Sequence, residues 1–258
     1  MSKQTEKPLQ PIFCRVGAKT LMRFQILKYI PNHMIYVEPF IGGGAVFWNK
    51  PSAEASVIND LDKQLINDYN LIKSAPTDIS KYRSQDKLNT LQKRRDFITK
   101  NHTTKPDKLI DAILRRCSGF SSKYIKKGKE NQIYQVRGNP LKKIKNLQRY
   151  KDKLKTTIIK NQDYKKIIKD YDTYNTFFYL DPPYEESDKG FYDDNIIDYE
   201  EMSNILKKIK GKFALSINGS SYIKKTFKDF KIIKLELKTN AKVFIGSKKR
   251  EELLIMNY

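Results

Sequence analysis

The sequence predicts an α/β protein, built on one largely parallel sheet that carries a single inserted module. Three observations point there. Short apolar, β-rich segments alternate with stretches of helical periodicity toward both ends of the chain, a pattern that calls for βαβ units and parallel strands. A glycine loop, Gly42-Gly43-Gly44, follows the first of these strands, where open α/β sheets bind ligands. From about residue 80 to residue 149 the pattern gives way to charged helix and then to Gly-, Asn- and Lys-rich sequence. At about 150 residues per domain, a chain of 258 residues accommodates one large domain with an insertion and excludes three domains.

In chain order, Leu21, Phe24, Leu27 and Ile30 are spaced for a first helix that Pro31 stops. Met34-Ile35-Tyr36-Val37 reads as a strand. It runs through Glu38-Pro39-Phe40-Ile41 into the glycine loop, after which Ala45-Val46-Phe47-Trp48 can open a helix. Ala55-Ser56-Val57-Ile58 is a second strand ending at Asn59-Asp60, and Leu65, Tyr69 and Ile72 mark the helix behind it. The inserted module, residues 80–149, contains Ser118-Gly119-Phe120-Ser121-Ser122 and Arg137-Gly138-Asn139-Pro140. Strand signals resume at Thr156-Thr157-Ile158-Ile159 and at Thr176-Phe177-Phe178-Tyr179-Leu180. They continue at Phe213–Ile217, Lys231–Leu235 and Glu252–Met256.

Composition narrows the function. A hydrophobic fraction of 39% supports a buried core and argues against disorder. Fifty-one Lys and Arg against 29 Asp and Glu leave a net charge of +22, a surface that attracts polyanions. Cys14 and Cys117 are far apart and form no CxxC pair, so neither a disulfide framework nor a zinc ribbon is expected. No apolar run reaches the length of about 20 residues needed to span a bilayer, and the polar start lacks a signal-peptide core. The expectation is an intracellular protein in a reducing compartment, cytoplasmic or wherever its polyanion is, without a membrane partner and without a metal.

The glycine loop lacks both the Gly-x-Gly-x-x-Gly fingerprint and the Gly-Lys-Ser/Thr of a P-loop, so phosphate binding is not expected there. Asp60, at the end of the second strand, stands where such folds hold ribose hydroxyls, although a single aspartate there is as often a turn residue. Asp181-Pro182-Pro183-Tyr184 is the sharpest feature. An apolar strand runs straight into a carboxylate, two prolines that stiffen the turn, and an aromatic ring. Such a turn can hold a carboxylate and a backbone carbonyl on one amino group while the ring stacks on the base that bears it.

Val37-Glu38-Pro39-Phe40-Ile41-Gly42-Gly43-Gly44, followed far downstream by Asp181-Pro182-Pro183-Tyr184 and preceded by Gly17-Ala18-Lys19, resembles the Dam-type adenine-N6 DNA methyltransferases. The resemblance covers most of the chain, in the alpha order of cofactor loop, target-recognition insert and catalytic tetrapeptide. It implies a Rossmann-like class I methyltransferase sheet with an inserted helical or hairpin target-recognition module. Residues 1–79 and 150–258 would then form the catalytic domain and 80–149 the DNA-binding insert. S-adenosylmethionine would be the cofactor, held by Lys19, Glu38, Phe40, Gly42, Gly44, Asp60, Asp163 and Asp181. Asp181, Pro182, Pro183 and Tyr184 would carry catalysis on an adenine turned out of duplex DNA. Arg15-Val16 stands where relatives often place an aromatic, so packing of that segment on the cofactor is not carried over, and Phe13 is the available substitute.

Arg116, Phe120, Ser121, Ser122, Lys123, Tyr124, Lys126, Arg137 and Asn139 are the expected DNA contacts, with Arg137 proposed for a base edge. No cysteine is placed as a nucleophile for cytosine-C5 chemistry, and no His/Cys cluster suits a zinc deaminase. A monomer or weak dimer is expected, with room for a cognate restriction endonuclease as companion. Methylation of RNA adenine or of cytosine N4 stays open at this stage, as does a non-catalytic DNA-binding scaffold of the same fold.

Overall fold

The computed structural model describes residues 7–14, 19–76, 88, 90–118, 124–129, 132, 140–183, 197–236 and 251–258. The chain packs as two compact units. The first comprises residues 1–20, 42–49 and 62–159, and the second 21–41, 50–61 and 160–258. This division by packing differs from the expected division by function, because residues 1–20, the glycine loop and the helix after the second strand belong with the expected insert.

The second unit holds the sheet. Its strands are β1 (Ile35–Glu38), β2 (Ala55–Asn59), β4 (Thr176–Leu180), β5 (Lys212–Asn218), β6 (Lys231–Leu235) and β7 (Glu252–Met256), while β3 (Thr157–Lys160) enters the unit at its last residue. The order is β3-β2-β1-β4-β5-β7-β6. β1 pairs in parallel with β2, Val37 opposite Val57, and with β4, Val37 opposite Phe178. β4 pairs in parallel with β5, Leu180 opposite Leu215. β7 lies antiparallel between β5 and β6, with Ser216 opposite Leu254 and Ile232 opposite Ile255. The expected α/β class and its parallel sheet are therefore present. The antiparallel insertion of β7 has no local signature, since Glu252–Met256 is as apolar as a parallel core strand.

Both faces of the central strands are covered. All five residues of β4 and of β7 are buried, as in strands covered on both faces. Val37, Val57, Phe178, Leu180, Leu215 and Ile255 share one core with Ile167 and Ile168 of α7 (Tyr164–Tyr171) and with Met202 and Leu206 of α8 (Tyr199–Leu206). α9 (Ser221–Thr226) adds Ile223. The Ser220 hydroxyl caps α9, and the Asp198 carboxylate caps α8 by accepting from the backbone N–H groups of Glu200 and Glu201.

Two sequence expectations shift in detail. The first helix, α1, is only Arg23–Leu27, and it buries Arg23 and Ile26 while Leu21 is 68% and Phe24 48% exposed. The expected apolar stripe is therefore not the buried one. After the glycine loop a single 3₁₀ turn, Phe47–Asn49, replaces the expected helix, as Pro51 lies too close for an α-helix to develop.

The first unit is helical. α2 (Lys63–Ser74), α3 (Leu91–Ile98), α4 (Lys105–Ser118), α5 (Pro140–Lys145) and α6 (Leu147–Leu154) pack in it. α4 buries nearly every residue from Leu109 to Ser118. Arg116 on α4 sends Nε to Asp68 Oδ2 of α2 at 2.6 Å, with the two side chains 3% and 0% exposed. Its guanidinium lies over the rings of Phe13 and Tyr124 and reaches Asp62 at 3.5 Å. Arg115 pairs with Asp111 at 2.8 Å and donates to the Ile125 carbonyl at 3.0 Å.

Candidate active site at the strand ends

In open α/β sheets the crevice opens at the carboxyl ends of the strands, where the strand order reverses. Here the reversal lies between β1 and β4, because the chain leaves β1 for β2 on one side and β4 takes the other. β1 ends in Glu38, buried at 2% exposure, whose Oε2 accepts from the Tyr36 hydroxyl at 2.6 Å. Pro39 and Phe40 follow. The half-buried Phe40 ring packs on Tyr164 with centroids 5.2 Å apart.

Asn59, the last residue of β2, ties this end of the sheet together. Its Nδ2 donates to the carbonyls of Pro39 and Gln162, both at 2.9 Å, and its Oδ1 accepts from the Gln162 backbone N–H at 2.9 Å. The Ile41 N–H adds a bond to the Asn59 carbonyl at 2.8 Å. One buried amide thus uses both donors and its acceptor to fix the turns after β1 and β3. Asp60 is half-exposed, and its backbone carbonyl is held by Asn161 Nδ2 at 2.7 Å. Asp163 is exposed and caps α7, accepting from the Lys165 N–H at 2.7 Å. Beside it, Gln162 Oε1 and the Tyr164 hydroxyl are buried without a hydrogen-bond partner among the described residues. Burial pushes the Tyr164 phenol well above its ordinary range.

Asp181 is half-exposed directly after the wholly buried β4. Behind it the Ser216 hydroxyl donates to Asp181 Oδ1 at 3.4 Å and shares a 2.8 Å hydrogen bond with the Tyr179 hydroxyl, both Ser216 and Tyr179 being buried. Pro182 is buried, and the Pro183 carbonyl accepts from the Tyr199 hydroxyl at the head of α8. The turn is therefore stiff twice over, by its prolines and by its anchors. Tyr184 lies outside the described residues.

In the first unit, Lys19 is buried at 4% exposure. The glycine loop there is pinned through its carbonyls. Tyr69 OH donates to the Gly42 carbonyl at 2.9 Å, and Trp48 Nε1 to the Gly43 carbonyl at 3.0 Å. Gly44 has φ +69°, and a Cβ on it would come within 2.8 Å of Trp48 Nε1 and 3.1 Å of Tyr69 OH. Only glycine fits that backbone without strain.

A family model for the D12 class N6 adenine-specific DNA methyltransferases matches residues 16–241. The chain belongs to this family. Among its curated relatives, the type II methyltransferase M.CviBI of Paramecium bursaria Chlorella virus NC1A is 26% identical over 97% of this chain and 100% of its own. The type II methyltransferase M.MjaIII of Methanocaldococcus jannaschii is 27% identical over 97% of this chain and 99% of its own. A solved methyltransferase structure complexed with SAH overlaps 96% of this chain and about half, 54%, of its own, at 12% identity and a TM-score of 0.38. At that distance it adds nothing to the assignment.

In this D12-class methyltransferase the expected site residues of the second unit, Glu38, Phe40, Asp60, Asp163, Asp181, Pro182 and Pro183, all fall at or just beyond the carboxyl ends of β1 to β4. Lys19, Gly42 and Gly44 fall in the first unit. Of the expected DNA contacts, Phe120, Ser121, Ser122, Lys123, Arg137 and Asn139 lie outside the described residues, and Lys126 is exposed. Arg116 is not on the surface, and its buried guanidinium reaches Asp68 through Nε and Asp62 through Nη1. Tyr124, half-buried, carries the cation–π contact with that guanidinium. Sequence reasoning missed Asn59, Gln162 and Ser216. The one available signal, a polar residue at the end of an apolar strand, marks Asn59 alone, since Ser216 lies inside β5.

Proposed function

We propose that this chain transfers a methyl group from S-adenosylmethionine to N6 of an adenine turned out of duplex DNA. The observation that carries the reading is Asp181, a half-exposed carboxylate on a braced turn at the end of buried β4, beside the strand-order reversal.

The residues fit the cofactor. Asp60 offers a half-exposed carboxylate suited to vicinal hydroxyls, Phe40 an aromatic face, and Gln162 Oε1 a buried acceptor lacking a donor among the described residues. Lys19, Glu38, Gly42, Gly44 and Asp163 are assigned to the same cofactor by their place in the sequence pattern. When bound, S-adenosylmethionine supplies an electrophilic methyl on its sulfonium.

An adenine N6 lone pair is delocalised into the ring and is a poor nucleophile. Asp181 and the Pro182 carbonyl accept the two amino hydrogens, which favours the sp³-like geometry in which the lone pair is available. Asp181 then stabilises positive charge developing on N6, the kind of electrostatic positioning that dominates such catalysis. Tyr184 stacks on the extruded base. Phe120, Ser121, Ser122, Lys123, Lys126, Arg137 and Asn139 contact DNA, with Arg137 at a base edge and the lysines at phosphates. Residues 80–149 are the target-recognition module in this reading, and a restriction endonuclease of matching specificity is its natural companion. The enzyme works wherever its DNA substrate is, as a monomer or weak dimer. Among the described residues no helix is long and apolar enough to cross a membrane.

Labelled methyl transfer from S-adenosylmethionine to duplex DNA, structured RNA and single-stranded DNA, offered in competition, tests the substrate. Label entering duplex DNA supports the proposal. Label confined to RNA overturns it.

A further inference from the structure

The first unit buries a reactive cluster that methyl transfer does not use. Cys14 Sγ and Cys117 Sγ are 3.2 Å apart, and Lys143 Nζ lies 3.1 Å from each. The third donor of the ammonium goes to the Ile12 carbonyl at 2.9 Å. Lys143, on α5, is 5% exposed; Cys117, on α4, is fully buried; Cys14 is half-exposed. All three N–H donors of the lysine are thereby used, two of them on sulfur.

A buried ammonium needs a compensating anion. Among the described residues, the acidic protons in contact with Lys143 Nζ are those of the two thiols. Arg94 of α3 adds a second buried cation whose field reaches Cys117, and the Tyr150 phenol of α6 faces the pair. The hydrogen bond to Cys14, together with burial, pushes the Cys117 thiol up. Cys117 therefore keeps its proton, and Cys14, the half-exposed sulfur, is the one that a small oxidant can reach.

We propose that Cys14, Cys117 and Lys143 form a hydroperoxide-reactive dithiol that closes to an intramolecular disulfide. The Cys14 thiolate attacks one peroxide oxygen, the O–O bond breaks, and Cys14 becomes a sulfenic acid with release of hydroxide. Cys117 sulfur then attacks the sulfenic sulfur. Its thiol proton leaves with the departing hydroxide as water, so that two thiols and one hydrogen peroxide give one disulfide and two waters. Lys143 holds the thiolate charge before the first step. The second step needs the sulfurs to approach by roughly 1 Å.

The test uses the full chain with hydrogen peroxide, quenched in denaturant with iodoacetamide and mapped by tryptic mass spectrometry. A Cys14–Cys117 cross-linked peptide as the main product is expected, formed at least 10-fold more slowly in Lys143→Met with an unchanged circular dichroism spectrum. Recovery of both cysteines as alkylated thiols overturns the proposal, as does a Lys143→Met rate equal to that of the wild type. Should that variant not fold, the wild type decides through the pH profile of Cys14 alkylation. A midpoint below the ordinary thiol value of about 8.5 supports the proposal, and one at or above it overturns it.

Discussion

In the proposed reading Asp181 faces the chemistry, while Asn59 holds the turns after β1 and β3. With Asp181 changed to Ala, kcat for methyl transfer is expected to fall about 10²- to 10³-fold or more, while DNA affinity stays within about 2-fold in electrophoretic shift assays. Loss of both in a folded variant would assign Asp181 to DNA binding instead. Asn59→Ala removes three hydrogen bonds from buried or half-buried backbone groups. A stability loss of about 2–3 kcal/mol is expected in urea unfolding, with weaker S-adenosylmethionine binding by calorimetry. An unchanged unfolding midpoint would contradict the bracing role. Asp60 and Asp181 could be singled out from sequence because each stands directly after an apolar strand run. Gln162 and Ser216 could not, because what distinguishes them is burial and partners contributed by segments tens of residues away.

Among the elements, the α2–α4 contact is where sequence reading and structure part most clearly. Arg116 is expected from sequence among the DNA contacts, yet α4 turns it inward together with Arg115. Local composition reports charge and not the face on which it lies. Removing Arg116 alone strands a buried Asp68 carboxylate, so Arg116→Met is expected to cost about 3–5 kcal/mol. The double variant Arg116→Met with Asp68→Leu should recover most of that in the same unfolding assay. A single-variant cost below about 1 kcal/mol would show the pair to be incidental. Gly44→Ala meets Trp48 and Tyr69 at a positive φ and is expected to destabilise by about 1–2 kcal/mol. The apolar stripe of α1 shifts because an element of five residues takes its burial from neighbours rather than from periodicity, whereas Pro51 limits the turn at Phe47–Asn49 to 3₁₀.

For the whole molecule, the α/β class and the parallel central strands follow from strand spacing. The division into two packing units does not, because residues 1–20 and 42–49 join the helical unit only through contacts distant in sequence. A net charge of +22 makes DNA affinity strongly salt-dependent. If six to ten phosphates are engaged, raising salt from 50 to 200 mM should weaken binding about 10³- to 10⁵-fold in fluorescence anisotropy. A shallow slope would place most of the basic residues away from DNA.

The most direct measurement is incubation of the protein with S-adenosylmethionine and unmethylated duplex DNA, followed by digestion to nucleosides and mass spectrometry, with Asp181→Ala alongside. N6-methyladenine from the wild type and none from the variant is the expected result. Equal N6-methyladenine from the variant, or methylation confined to cytosine, would contradict the role assigned to Asp181 at the end of β4.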